Sequence, residues 1–148
     1  MLDCGRMKLE ATIVTCVVIV HHIVAYLHGG AHNDLAILMA AWQNTFINVV
    51  IVFLPLVGVI LLWTPYRRIG LYAVAVGMVG AMVFGIVHHY MLESPDHISH
   101  LPHGSPHVHA TFQWTAGAIA MLEGICSMVA GYFLGHSNRR RDTTGGTQ

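Results

Sequence analysis

Four long apolar stretches, at about residues 11–27, 35–63, 69–91 and 110–134, leave this chain few folds to choose from. Each is near the roughly 20 residues that a helix needs to cross a bilayer. A backbone in hydrocarbon must satisfy its own hydrogen bonds, which selects helices for segments of this kind. With 55% hydrophobic and 9% charged residues, the 148-residue chain is too apolar for a soluble domain of its size. The expected fold class is therefore all-α, a four-helix transmembrane bundle.

The stretch 35–63 is longer than one crossing needs. It calls for tilt, an interfacial first turn, or a bend at Pro55, where proline removes a backbone hydrogen bond. Arg6 and Lys8 ahead of the first stretch also match the start of a signal peptide. His21 and His22 interrupt that apolar run, and no clean small-x-small cleavage site follows, so it is read as a helix.

All seven basic residues, Arg6, Lys8, Arg67, Arg68, Arg139, Arg140 and Arg141, fall in the N-terminal segment, the second connection or the C-terminal tail. Four crossings put these segments on one side, and the positive-inside rule makes that side cytoplasmic. The expected organisation is a cytoplasmic segment 1–10, a membrane domain 11–134, and a basic cytoplasmic tail 135–148. Its histidine-rich connections, 28–34 and 92–109, then lie outside a plasma (inner) membrane. The formal net charge is zero and no basic cluster precedes the tail, so nucleic acid is excluded as a partner. The expected partners are the lipid bilayer and further copies or subunits of a membrane complex. Cys4, Cys16 and Cys126 have no CxxC spacing, and no chemistry is assigned to them.

Eleven of the twelve histidines gather at the outer side in this topology; His136 alone is inside. His21, His22, His88, His89 and His109 fall in the outer ends of three helices. Imidazole is costly in hydrocarbon unless paired, ligated or facing a polar cavity, so this set is the candidate metal site. Glu93, one helical turn beyond His89, is a further candidate ligand. Gln43, Asn44 and Gln113 lie at the same level and are expected to orient the ligands through hydrogen bonds. The remaining candidates, His28, His32, Asp96, His97, His100, His103 and His107, are read as metal capture by the connections. Pro95, Pro102 and Pro106 exclude a regular helix through the second of these.

Ile19-Val20-His21-His22 and Ile86-Val87-His88-His89 share the same four residues on helices that run the same way. The match points to two repeated helical hairpins, whose axis would bring one histidine of each pair toward the other. Adjacent residues on a helix point about 100° apart, so only one of each pair aims inward.

Three functions fit this pattern. One is a copper or zinc site at the outer end of the bundle. The second is a b-type haem held by His22 and His89, or by His21 and His88 if the faces are reversed. The third is a non-catalytic accessory subunit of a larger membrane complex. No phosphate-binding glycine loop and no HExxH motif occurs, and the residues assign no reaction. Glu123 is the acid deepest in an apolar stretch and is a candidate for proton transfer or for hydrogen bonding between helices.

Overall fold

The computed structural model describes the backbone of residues 2–145 and the side chains of residues 5–136. The side chains of Cys4 and of Arg139 to Arg141 lie outside the described residues. The chain is all-helical. Its four long helices are α1 (Leu2–Asp34), α2 (Ala41–Leu62), α3 (Arg67–Met91) and α4 (Pro106–Gly145), each long and apolar enough to cross a membrane.

Neighbours run around a square. Helix α1 packs on α4, α4 on α3, α3 on α2, and α2 returns to α1 through Leu54–Leu62. Helices α1 and α3 are thus diagonal partners, and side chains that join them cross the middle of the bundle. One end, the arginine end, carries Arg6, Lys8, Arg67 and Arg68. There Glu10 of α1 pairs with Arg6, at 3.1 Å, and with Arg67 of α3. The histidine end is the opposite one.

Two apolar cores lie at different levels. The larger, toward the arginine end, joins Val14 and Val18 of α1, Leu62 of α2, Leu71, Val74 and Met78 of α3, and Cys126 and Ala130 of α4. Here α2 and α3 nearly touch. A Cβ on Gly58 would stand 2.9 Å from the Gly70 carbonyl oxygen, and one on Gly70 would stand 2.6 Å from that of Gly58. The smaller core, at the histidine end, is Ala31, Leu35 and Phe112 under the connection residues Ile98 and Leu101.

Three local features differ from the sequence reading. First, α1 continues through Gly29 and Gly30 to Asp34, so residues 28–34 form the last turns of a helix. Each glycine costs a helix about 1 kcal/mol relative to alanine. Packing of Ala31 and Leu35 with Phe112 of α4 offsets that cost. The helix closes on Ala36, whose φ is 51°, with Ile37 N–H donating to His32 O at 3.1 Å.

Second, α2 starts only at Ala41 and widens into a π-helical stretch, Ile47–Phe53, just before Pro55. Proline has no N–H for the carbonyl one turn back, and the chain absorbs this by bonding Leu54 N–H to Val49 O, five residues away.

Third, α3 ends in a π-helical turn, Val87–Met91, and Leu92 is extended, with Leu92 N–H donating to Val87 O at 2.9 Å. This turn carries His88 and His89, both buried. Helix α4 starts cleanly: Ser105 accepts from Val108 N–H at 3.3 Å, and Pro106 occupies the first helical position.

Candidate metal centre

His28 and His32 are one turn apart on α1 and present their rings to the bundle axis, where His89 comes in from α3. All three are buried, and one ring nitrogen of each lies within 4.8 Å of the others. His28 Nε2 stands 3.2 Å from His89 Nε2 and 3.1 Å from His32 Nε2. Phe112 of α4 forms the floor, with ring centroids 4.6, 4.9 and 5.4 Å from those of His28, His32 and His89.

The hydrogen bonds fix which nitrogens carry protons. The Thr115 hydroxyl, 2.9 Å from His28 Nδ1, lies 2.6 Å from the Thr111 carbonyl and 3.1 Å from that of Phe112, to which it donates. It therefore accepts from His28 Nδ1–H. His89 Nδ1 faces the Asp96 carbonyl at 3.0 Å and donates to it. In the neutral tautomers both Nε2 atoms then carry lone pairs, and these point at each other across 3.2 Å. Two facing acceptors repel. A proton shared between the two rings relieves that repulsion as one hydrogen bond, and a cation held also by His32 Nε2 relieves it with three ligand bonds.

Asp96 supplies the charge. Its side chain is 6% exposed, and Oδ1 stands 3.2 Å from His32 Nε2 and 3.3 Å from His89 Nδ1. Neither carboxylate oxygen has a well-directed hydrogen bond, and His32 Nδ1 is also buried without one. Burial works against the ionised form of Asp96. The N–H of His89 and the positive charge that His89, His32 and His28 carry when protonated outweigh it and hold the carboxyl below its usual range.

The other sequence candidates are placed elsewhere. His21 is fully buried and 3.1 Å from Glu123, far along α1 from the three imidazoles. His22 has its ring nitrogens 2.8 Å from Val18 O and 3.2 Å from Val52 O. His88 accepts from Gln43 Nε2 at 3.3 Å and packs on Phe84 and Trp42. The two His-His pairs therefore do not meet across the bundle; His28, two turns beyond His21, is the residue opposite His89. Glu93 is exposed, because α3 stops at Met91 and no helical turn carries it back over His89.

His109 donates to Pro102 O at 2.8 Å and Gln113 to Ile98 O at 3.0 Å, so both tie the second connection to α4. Asn44 donates to Met39 O. His97 and His100 pair their rings at 5.1 Å on the surface, and His103 and His107 are exposed. Of the histidines and acids of the second connection, Asp96 is the one whose side chain reaches His32 and His89.

A sequence signal for His28 and His32 existed in their spacing of four, which puts two imidazoles on one helical face. The glycines between them masked it. Thr115 and Phe112 had no signal of their own.

A cavity of about 850 Å³ opens beside the three histidines, lined by α1, the first half of α2, α3 and α4. Met39 and Asn44 stand on its wall near the histidine end, and Glu123 lies at its far end. Comparison with protein-family models, characterised proteins and solved structures gave no match for this chain.

Proposed function

We propose that this protein is a membrane metalloprotein that binds one transition-metal ion through His28, His32 and His89, with Asp96 holding His89 and balancing the charge. The observation that carries this is the convergence of three buried Nε2 atoms at 3.1 and 3.2 Å, with His28 and His89 each held from behind by an acceptor at Nδ1. A carbonyl or carboxylate behind a ligating imidazole is the usual support for a metal-bound histidine.

Zinc suits the spacing best. With zinc–nitrogen bonds of about 2.0–2.1 Å, the edge of a tetrahedron is about 3.3 Å, close to the 3.1 and 3.2 Å seen here. Three imidazoles leave the fourth position free, the arrangement of reactive rather than purely structural zinc sites. Copper is the second reading, favoured by the Met39 thioether on the cavity wall. Haem gains no support from this geometry. Axial nitrogens on one iron stand about 4 Å apart, twice a metal–nitrogen bond, and His22 and His89 are engaged with different partners.

The histidine end faces outward in this proposal, since the basic residues gather at the other. An accessory role in a larger complex is compatible with the same centre. The test is metal analysis of the purified full chain, after loading with zinc or copper, combined with an absorption spectrum. One ion per chain without a Soret band is the expected result. A Soret band, or no retained ion, overturns the proposal.

A further inference from the structure

The largest polar feature that the three histidines leave unexplained is the His21–Glu123 pair. Glu123 is 1% exposed and His21 0%, and they meet at 3.1 Å between α1 and α4. Only one atom of each is used. Glu123 Oε2 and His21 Nδ1 are fully buried with no hydrogen-bond partner. Buried polar atoms are nearly always satisfied, so two orphans on one pair point to a site that exchanges a partner. A pair that served only to join two helices would be cheaper as an apolar contact.

Glu123 also lines the cavity that His28, His32 and His89 line. Seven residues of α1 separate His21 from His28, a rise of about 10 Å. Between the two levels the cavity wall includes the small residues Ala81 and Gly85 of α3 and Ala116 and Ala120 of α4, beside the larger Ile47 and Ile51 of α2 and Ile119 of α4. A cavity of about 850 Å³ has room for a file of water molecules over that distance. The titratable groups that act on Glu123 are His21 from α1 and His89 from α3.

We infer that Glu123, held by His21, is the proton acceptor for the trihistidine centre. This rests on the metal-site reading above. A water molecule in the fourth position of a bound ion would lose a proton, and the electron pair of the broken O–H bond would stay on its oxygen. The proton passes along cavity water to Glu123 Oε2, where a new O–H bond turns the carboxylate into a carboxylic acid. His21 Nε2–H stays bonded to Oε1 throughout and sets the orientation of the group.

The experiment is an infrared difference spectrum, zinc-loaded minus zinc-free, of the full chain in lipid nanodiscs, with bound zinc counted on the same samples. Wild type should gain a carboxylic-acid C=O band and lose a carboxylate band on loading. Glu123→Gln should hold the same zinc with no such change, and Glu123→Asp should restore the band at a shifted frequency. His21→Gln should keep the band but move it, because its hydrogen-bond donor differs. Zinc bound by wild type without the band, or a band that survives in Glu123→Gln, overturns the relay and leaves the metal site standing. Wild type that binds no zinc overturns the metal site itself, and the relay with it; the zinc count identifies that case.

Discussion

The buried histidines and the connection histidines have the same chemistry and opposite surroundings. His28, His32 and His89 sit on helical turns, shielded by Phe112 and backed by Thr115 and Asp96. His97, His100 and His103 sit on a proline-containing connection, at or near the surface, with mostly local partners. The difference teaches what makes an imidazole a ligand. A helix fixes where the nitrogen points, a hydrogen bond behind the ring fixes the tautomer, and burial removes the water that would compete.

The sharpest way to break this comparison is to exchange the losses. Replacing His28 or His89 with Ala should abolish stoichiometric metal binding, a fall of more than about 100-fold, beyond what loss of a supporting partner causes. Replacing His97, His100 and His103 together should leave one ion per chain at saturation. Equilibrium dialysis of the purified variants measures both, and the reverse pattern would place the site on the connection.

A smaller effect is expected behind the ligands. Asp96→Asn and Thr115→Val keep the side-chain volumes but remove the charge or the tautomer lock, and each should weaken binding by about 10–100-fold. Competition against a chelator of known affinity resolves a change of that size. Equal affinity in both variants would mean that the imidazoles need no support.

The smallest effects test the helix that carries two of the three ligands. A Cβ on Gly30 would meet no atom within 4 Å, so Gly30→Ala should raise stability by about 0.5–1 kcal/mol if that turn is helical. Ala36 has a positive φ of 51°, and Ala36→Gly should add about 1 kcal/mol by relieving left-handed strain. Thermal unfolding in one detergent compares them. A loss of stability in either variant would show that α1 does not run regularly to Asp34.

The four helices were legible because hydrocarbon demands long apolar segments with internally satisfied backbones, and the chain displays four of them. The gathering of basic residues at one end and histidine at the other was legible for the same reason, since crossing number alone assigns each connection to a side. Hairpin repetition, read from two short matching segments, did not foretell which histidines meet. His21 and His89 ended with different partners, Glu123 and His28, because α1 extends more than three turns past the first pair and packs on α4 there.

The sequence by itself determined that this chain is a bundle of four helices apolar enough to cross a membrane, with most of its imidazoles toward one end. Periodicity and length carry that information locally. Tertiary structure decided which of the twelve histidines form a centre. That choice depends on the reach of α1 through its glycines, on the π-helical turn that presents His89, and on the fold of the second connection that lowers Asp96 between His32 and His89. Each of these is a contact between distant segments, paid for by packing that no short stretch of sequence records.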